Sequence, residues 1–396
     1  MGGFDEYFAD LKDPRGSISR RHDLLEILTI ALCAVLSGGQ TAVDMARFAE
    51  AKQDFLGRFL ELKNGIPSHD TFSRVFRRLD PDQFRACFRK FATRIGNASS
   101  GVIAIDGKVM RRSFNRTTAR SALRMVSAWC CERRMVLAQV ATSARANEIA
   151  AVSRVLEMLS LTGSIVTTDA RNCQREIARQ IIRQGGNYVL ALKRNHPTLH
   201  ADVRRHFDDG YGPLAGHSIV DCDHGRVEAR TSLVSTEIGG LQEKHRWPGL
   251  AAVGRVLRTR QTKVKAVRQT TTETAYYLLS APLSAAGLGA VVRSHWGVEN
   301  RLHWTLNVVM NEDRARSRLD NSPYNLGILR HMALNLMQRH RSEVSLRSKF
   351  NLAAWKDEFL AELLAEARAG GSVTPKKPRI DTCNDRERPL GLPFRE

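Results

Sequence analysis

The hydrophobic and polar positions of the first hundred residues predict helices. Residues 24–36 form an almost unbroken apolar run that ends at Gly38 and Gly39, and paired glycines are a typical helix end. The run contains Glu26 and is too short to cross a bilayer, so we interpret it as a buried helix. We therefore expect residues 1–100 to form a helical region.

A second helix is predicted to begin after Ser68, which is a candidate N-cap. Its apolar side chains recur at positions i, i+3, i+4 and i+7, and they are Phe72, Val75, Phe76 and Leu79. The opposite side carries three arginines, Arg74, Arg77 and Arg78. This side fits a recognition helix that lies against DNA, and an ordinary solvated basic face explains the pattern equally well. Both interpretations remain open.

From residue 101 the apolar positions form short runs that are typical of β-strands. Five such runs occur, at residues 102–106, 122–130, 135–142, 164–169 and 188–193. Two helices interrupt them, one that begins at Asn147 and runs through Met158, and one over residues 173–183. The order strand-strand-strand-helix-strand-helix-strand indicates an α/β fold with a mixed sheet, in which the first and fourth strands can lie side by side.

The core and the rest of the chain divide into four segments. Residues 101–195 form the first part of the α/β core. Residues 196–285 contain strand-like runs separated by polar, glycine- or proline-containing turns, so we predict a mostly β insertion. Helical periodicity returns over residues 286–368, which complete the core. Residues 369–396 are rich in glycine, proline and charge, and we predict that they are disordered.

Charge and cysteine content narrow the class of function. The chain carries 61 lysines and arginines against 41 aspartates and glutamates, a formal net charge of +20. Such a charge favours binding to a polyanion, because neutralised phosphates release condensed counterions, although a basic protein without a nucleic-acid role is the alternative. The seven cysteines are odd in number and lack zinc-type spacing, which favours structural thiols in a reducing cytosol. We therefore expect a cytoplasmic protein.

Two aspartates, Asp106 and Asp169, stand where an apolar strand ends. A carboxylate at that point escapes the core but stays on a rigid element, which suits a preorganised metal ligand. Taken singly, an aspartate at a strand end is more often a turn former or a helix cap. The pair favours the functional interpretation, because neighbouring strands would place the two carboxylates together.

A third acid, Glu299, lies in the middle of a predicted helix. Trp296 and Trp304 flank it with large apolar side chains, and two His-Trp pairs bracket it in the segment HWGVENRLHW. In isolation Glu299 would be interpreted as a surface glutamate, but these surroundings make it a candidate for the same site. The residues that would support it are His295, Trp296, Asn300 and His303.

Three segments resemble the signatures of DDE-type insertion-sequence transposases. They are IAIDGK at residues 103–108, VTTDARNCQ at 166–174 and RSHWGVENRLHWTLNVVMNED at 293–313. DPRG at residues 13–16 and PSHDTFSRVF at 67–76 are similar to the N-terminal segment of the bacterial group that includes the H-repeat-associated proteins. Together these motifs are highly specific to that group.

The resemblance implies an RNase H-like catalytic core with a helical N-terminal DNA-binding region and a β insertion. Its DDE triad would map onto Asp106, Asp169 and Glu299 as catalytic and metal-binding residues. The cofactor would be Mg²⁺ or Mn²⁺, and two ions roughly 3.5–4 Å apart can bind the attacking and leaving oxygens of an in-line displacement. Attack by water would nick the DNA and leave a 3′-hydroxyl, which then attacks the target strand.

The implied partner is double-stranded DNA, both at the terminal inverted repeats of the element and at the target, with no membrane. A homodimer fits the joining of two ends. Basic residues near the acids and on the arginine-rich helix are candidates for phosphate contacts, each with a solvated surface as the alternative. They are Arg74, Arg77, Arg78, Lys108, Arg111, Arg112, Lys193, Arg194, Arg226, Arg230 and Arg293.

One departure from the group's pattern bears on activity. Relatives usually carry aspartate where this chain has Asn307, on the same predicted helix as Glu299. Glu312 and Asp313 are alternative third carboxylates, although they lie nearer the helix end. Two rival functions therefore stay open: an RNase H-like nuclease that cuts without strand transfer, and a catalytically impaired remnant that only binds DNA.

Overall fold

The computed structural model describes residues 5–17, 20–96, 101–114, 121–142, 148–210, 216–223, 226–264 and 267–368. The predicted disordered segment 369–396 and the predicted helix start at Asn147 lie outside these ranges. No helix within them combines the length and the apolar character that crossing a bilayer requires.

One mixed sheet of nine strands organises this part of the chain. In chain order the strands are β1 (Gly101–Val109), β2 (Arg124–Cys130), β3 (Met135–Thr142), β4 (Ser164–Thr168), β5 (Asn187–Leu192), β6 (Gly216–Asp223), β7 (Arg226–Ser235), β8 (Ala252–Val264) and β9 (Val267–Leu279). Across the sheet they follow the order β3-β2-β1-β4-β5-β9-β8-β7-β6.

The first five strands pair as the sequence predicts. β1 pairs antiparallel with β2, and β2 with β3, so these strands form a meander. β1 pairs in parallel with β4, and β4 with β5, since a helix carries the chain back across the sheet before each parallel strand. The prediction that the first and fourth strands are neighbours is confirmed, and the fold is of the expected mixed α/β class.

The β-rich insertion continues this sheet. β9 pairs antiparallel with β5, and β8, β7 and β6 follow it as antiparallel neighbours. The strand β6 was not indicated by the sequence. Most of its described side chains are exposed, so it lacks the alternation of apolar and polar residues that marks a half-buried strand.

Helices cover the sheet and connect its strands. In the described chain they are α1 (Asp5–Phe8), α2 (Leu24–Leu36), α3 (Ala42–Ala51), α4 (Gln53–Leu56), α5 (His69–Arg78), α6 (Pro81–Gly96), α7 (Glu148–Glu157), α8 (Arg175–Arg183), α9 (Pro197–Asp208), α10 (Gly239–His245), α11 (Ala285–His295), α12 (Ser322–Arg339), α13 (Leu346–Trp355) and α14 (Asp357–Arg368). Between α11 and α12 the chain takes the wider π-helical form over Val298–His303 and Thr305–Val309. Short π-helical turns are rare and often occur at functional sites.

The helix ends follow the predicted signals. α2 ends before Gly39, whose backbone N–H donates to the carbonyl of Ala34 at 2.7 Å. Ser68 occupies the N-cap position of α5 with an extended backbone, as predicted. Its hydroxyl makes no bond to the backbone of the helix and lies 3.3 Å from the hydroxyl of Thr71 instead.

The N-terminal and C-terminal helices share one hydrophobic core on one face of the sheet. Side chains such as Ile27 of α2, Phe88 of α6 and Leu329 of α12 belong to the same buried cluster. The hydroxyl of Tyr7 donates a hydrogen bond to the carbonyl of Ala367 at 2.8 Å, so the two ends of the described chain are in contact.

The other face of the sheet is covered by α7, α8 and α9. Ile103 and Ile105 of β1 point to this side, where they pack with Val152 of α7 and Ile177 of α8. Ala104 belongs to the core on the first face, as the alternation of a strand requires. β1 and β4 therefore lie between two helical layers.

Candidate active site

Asp106 and Asp169 lie side by side because of the register of two parallel strands. Ile105 of β1 is opposite Thr168 of β4, and each aspartate is the next residue along the chain. Asp106 is still within β1, whereas Asp169 follows the end of β4 and caps the 3₁₀ turn Ala170–Asn172. The structure thus brings together the two acids that the sequence analysis paired.

A third carboxylate, Glu148, joins them. One carboxylate oxygen from each of Asp106, Glu148 and Asp169 lies within 4.8 Å of the others. Glu148 is the first residue of α7 and is 2% exposed, whereas both aspartates keep partial contact with solvent. We call these three residues the acid cluster. Sequence reasoning missed Glu148, because an acid in the first turn of a helix is usually explained by the helix dipole.

Asn172 and Arg124 hold the acid cluster in place. The backbone N–H and the side-chain Nδ2 of Asn172 donate to Asp169 Oδ1 at 3.2 and 2.8 Å. Arg124 Nη1 donates to the carbonyl of Gly107 at 3.0 Å and lies 3.4 Å from Glu148 Oε2. Burial raises the pKa of Glu148, while the positive charge of Arg124 lowers it and the negative charge of Asp169 raises it again. Within the described part of the chain, Arg124 is the only arginine or lysine that forms an ion pair with the acid cluster, and it does so through Glu148.

The donor set of the acid cluster fits a hard divalent cation. Carboxylate oxygens are the ligands that Mg²⁺ and Mn²⁺ prefer. Glu148 Oε2 is buried and accepts no hydrogen bond from the residues that the structure describes. A buried charged oxygen without such a partner is costly, and a bound cation would remove that cost.

Glu299 lies close enough to Asp106 for the two charges to interact. It belongs to the π-helical segment Val298–His303, and its side chain is exposed. Partial burial raises the pKa of Glu299, and the negative charge of Asp106 raises it further. Among the described residues, the acids whose oxygens all lie within 4.8 Å of one another do not include Glu299. The structure therefore places this third predicted acid near Asp106 but outside the acid cluster.

The two histidines of the predicted motif line the same site. His295 Nδ1 shares a hydrogen bond with Thr167 Oγ1 at 2.9 Å, which ties the end of α11 to β4. His303 Nδ1 lies 3.7 Å from Asp106 Oδ2. Burial lowers the pKa of both histidines, and nearby aspartate charges offset part of that shift. Burial therefore favours the neutral form of both imidazoles, in which one ring nitrogen donates and the other accepts.

The other two supporting residues point toward solvent. Trp296 is 46% exposed, and the guanidinium of Arg258 lies 6.0 Å from the centroid of its ring. The side chain of Asn300 is exposed, and so is that of Trp304. The segment that carries Glu299 thus presents aromatic rings to solvent beside the site.

Lys108, two residues beyond Asp106 on β1, is buried in a second charged group. Its Nζ donates to Glu312 Oε2 at 2.6 Å and to Asp313 Oδ1 at 3.1 Å. Arg330 Nη1 lies 3.9 Å from Glu312 Oε1. Burial alone would raise the pKa of Glu312, but the charges of Lys108 and Arg330 lower it. We call Lys108, Glu312, Asp313 and Arg330 the ion-pair cluster, and the two alternative third carboxylates both belong to it.

The remaining basic residues fall into two groups. Some have a carboxylate partner: Arg77 with Asp320, Arg111 with Asp313, Arg230 with Asp221 and Glu228, and Arg293 with Asp221. Others are exposed and form no ion pair with the residues that the structure describes, namely Arg74, Arg78, Arg112, Lys193 and Arg194. The side chain of Arg226 lies outside the described residues. The second group has its full charge available for phosphates.

The chain matches two protein families. Residues 97–336 match the family described as the transposase DDE domain, a range that contains Asp106, Asp169 and Glu299. Residues 6–92, which hold the N-terminal helices, match the family described as DDE_Tnp_1-associated. The first match alone covers more than half of the chain.

Individual relatives extend this similarity to almost the whole sequence. The "H repeat-associated putative transposase YhhI" of Escherichia coli (strain K12) is 33% identical over 371 residues, which are 91% of this chain and 97% of that protein. The "Uncharacterized protein in dhlA 3'region" of Xanthobacter autotrophicus is 44% identical over 249 residues, 62% of this chain and 84% of that protein. Among solved structures, the cryo-EM structure of the piggyBac transposase synaptic complex with hairpin DNA aligns with a TM-score of 0.42 and 10% identity, over 97% of this chain and 84% of that chain.

Proposed function

Because the chain belongs to the family of DDE transposases, we propose that it cuts DNA at the ends of a mobile element and joins those ends to target DNA. The observation that carries the proposal is the placement of Asp106 and Asp169 at adjacent ends of two parallel strands. Rigid strands hold both carboxylates in position, as a preorganised metal site requires. The third residue of the proposed triad is Glu299.

Mg²⁺ or Mn²⁺, as two ions, would supply Lewis-acid stabilisation of the attacking and leaving oxygens when bound. Asp106 and Asp169 would hold the ions, and Asn172 fixes the orientation of the Asp169 carboxylate through two hydrogen bonds. Glu299 is exposed on the solvent side, so it is free to approach an ion and the scissile phosphate together. The neutral His303 beside Asp106 supports that carboxylate without competing for it as a cation.

The proposed reaction needs no protein nucleophile. A water molecule attacks the scissile phosphorus, the bond from phosphorus to the 3′-oxygen breaks, and the 3′-oxygen leaves as a hydroxyl. That hydroxyl then attacks a phosphorus of the target strand and displaces another 3′-oxygen. The first step converts a phosphodiester and water to a 5′-phosphate and a 3′-hydroxyl, and the second exchanges one phosphodiester bond for another. In both steps the developing negative charge would lie on phosphate and leaving oxygens.

DNA would be held by basic side chains that have no carboxylate partner among the described residues. The apolar side of α5 is buried against the core, which leaves Arg74 and Arg78 on the exposed side. Lys193 and Arg194 follow β5, the strand next to the one that leads to Asp169. The net charge of +20 and these side chains favour binding to the phosphates of two DNA ends and of a target. A homodimer would hold one end in each subunit and would act in the cytosol.

The test uses the full chain, the terminal inverted repeats of the element, a target plasmid and Mg²⁺. We expect nicked ends and joined products from the wild type. The Asp106→Asn variant should lose cleavage but retain binding to the DNA ends, because it removes a proposed ligand and no basic residue. Asp209→Asn, an exposed aspartate far along the chain, is the matched control and should cut normally.

Other results of the same experiment would support one of the two rival functions. Nicked ends without joined products would indicate a nuclease. Binding to ends without nicking, in Mg²⁺ and in Mn²⁺, would indicate an inactive remnant, for which Asn307 is a reason: its Oδ1 is buried without a hydrogen-bond partner among the described residues. Undiminished cutting by Asp106→Asn would refute the assignment of the catalytic acids.

A further inference from the structure

We propose that Glu148 is a metal ligand, so that the acid cluster holds a divalent cation with three carboxylates before DNA is bound. This inference rests on the proposed metal-dependent function and names the residues that form the metal site of the free protein. It adds a fourth acid to the triad of Asp106, Asp169 and Glu299, from a helix that lies far from Glu299 in the sequence.

The surroundings of Glu148 differ from those of an acid that only stabilises a helix. An acid at a helix N-terminus is normally exposed, because it needs no partner beyond the helix dipole and water. Glu148 is 2% exposed, and its carboxylate lies among two other carboxylates. Like charges at such separations repel each other in a buried site. A cation between them would turn this repulsion into attraction.

Buried oxygens without a hydrogen-bond partner give an independent indication of a cation site. Glu148 Oε2 accepts no hydrogen bond from the described residues, and neither does Oδ1 of the fully buried Asn172. Arg124 comes within 3.4 Å of Glu148 Oε2, but its Nη1 donates to the carbonyl of Gly107. Most buried polar atoms in proteins form a hydrogen bond, so two buried oxygens that accept none from the described residues, next to the same acids, point to a bound ion or its water.

Gly107 makes room for this carboxylate. A Cβ at residue 107 would lie 2.8 Å from Glu148 Oε1 and 3.2 Å from its carboxyl carbon. The backbone of Gly107 does not have a positive φ, so chain conformation does not explain the glycine. Residue 107 faces the α7 side of the sheet and the Asp106 side chain faces the other side, since successive strand residues alternate between the two faces. The absent side chain therefore opens the space through which Glu148 reaches the aspartates.

The experiment measures Mn²⁺ binding to the full chain without DNA, by titration calorimetry and by electron paramagnetic resonance. We expect Glu148→Gln to raise the Kd for Mn²⁺ about tenfold or more, since even residues that only orient ligands change metal affinity by 10–100-fold. Glu157→Gln, at the exposed end of the same helix, is the matched control and should bind Mn²⁺ within twofold of the wild type.

A second variant tests the same geometry without removing a charge. Gly107→Ala keeps the Glu148 carboxylate but occupies the space it uses, so we expect a weaker Kd for Mn²⁺ here as well. Circular dichroism of each variant verifies that it is folded. If folded Glu148→Gln and Gly107→Ala both bind Mn²⁺ within twofold of the wild type, the inference is wrong.

A purely structural role for Glu148 gives a different result. If its purpose were to pair with Arg124, Glu148→Gln would lower the Tm of the metal-free protein and leave the Kd unchanged. We expect the opposite: a metal-free Tm that is equal or higher, because one repelling charge is gone, and a Tm that no longer rises normally with Mn²⁺. Failure of the wild type to cut DNA would overturn the proposed function and leave this binding result standing.

Discussion

Two charged groups of this protein meet the same strand, β1, at Asp106 and Lys108, and they are built in opposite ways. In the ion-pair cluster, two acids, Glu312 and Asp313, are matched by Lys108 and Arg330 at distances of 2.6–3.9 Å. In the acid cluster, the three carboxylates have one arginine or lysine partner among the described residues, Arg124, whose Nη1 lies 3.4 Å from Glu148 Oε2.

The two groups differ in whether the fold supplies a basic partner for each acid. This difference separates a group that stabilises the fold from a group that is a candidate ligand site. Within the described residues, every acid of the ion-pair cluster has a cation, so its charges are satisfied by the fold itself. The acid cluster keeps an excess of negative charge and an unsatisfied oxygen, so the fold alone does not complete it. A protein tolerates such a group when a ligand supplies what is missing.

The largest effect is expected from breaking the ion-pair cluster. Lys108→Met removes the cation at 2.6 Å from the buried Glu312, and an uncompensated buried charge costs about 3–5 kcal/mol. Urea denaturation should show this loss in the free energy of unfolding. The double variant Lys108→Met/Glu312→Gln should recover most of it, because neither charge remains. A single variant as stable as the wild type would mean that Arg330 alone satisfies Glu312.

Divalent cations should stabilise the protein through the acid cluster. At a concentration one hundred times the Kd, a ligand that binds only the folded state adds about 2.7 kcal/mol. We expect thermal denaturation to show this gain for Mn²⁺ in the wild type and to show little of it in Asp169→Asn. KCl at equal ionic strength is the control for screening. A similar gain in Asp169→Asn would place the cation elsewhere.

Acid should destabilise the ion-pair side of β1 through His331. This histidine is 1% exposed, and burial lowers its pKa to about 4. A histidine with a depressed folded pKa stabilises the fold above its unfolded pKa of about 6.5, and that stability is lost as the pH falls from 6.5 toward 4. We expect the wild type to be about 2 kcal/mol less stable at pH 5 than at pH 7.5 from this residue.

Urea denaturation at the two pH values measures this effect. His331→Gln should lose that part of the pH dependence, since glutamine does not titrate. His69→Gln, whose histidine is exposed, should keep it. An unchanged pH dependence in His331→Gln would show that other groups account for the acid sensitivity.

The smallest effect concerns two arginines of α5, where the same contrast occurs at the surface. Arg78 is exposed without an ion pair among the described residues, whereas Arg77 Nε lies 2.8 Å from Asp320 Oδ2. Arg78→Ala should lower the slope of log K for DNA against log salt by about 0.9, the contribution of one phosphate. Arg77→Ala should lower it less, since its charge is already paired. Equal slopes would indicate that Asp320 releases Arg77 to DNA.

The sequence could predict those parts of the fold in which local pattern and burial agree. The run at residues 135–142 coincides with β3, and the order of the first five strands is as predicted, because each strand buries apolar side chains on the sheet. β6 was not predicted from the sequence, because most of its described side chains are exposed. The π-helical form of Val298–His303 was not predicted either, since the spacing of apolar residues does not distinguish a π-helix from an α-helix.

The residues of the candidate site that lie in a recognisable sequence motif could be predicted. Asp106 and Asp169 follow apolar strands, so a pattern of neighbouring strands was enough to pair them. Glu148 had no such signal, because its role depends on how α7 packs over Gly107, a contact between residues 41 positions apart. For Lys108 the sequence signal pointed to a different role. A lysine next to the Asp106 motif suggested a phosphate contact, and only the packing of Glu312 against β1 reveals its ion pair.

The contact between Tyr7 and Ala367 has a consequence for the synthesis of the protein. The N-terminal helices bury their apolar sides against α12 and the helices after it, which are synthesised more than 200 residues later. Until then those surfaces have no native partner, and folding awaits contacts that are distant along the chain, which is intrinsically slow. A nascent chain would thus expose its N-terminal region to chaperones and proteases, and removal of α1 or α14 should lower the solubility of the protein.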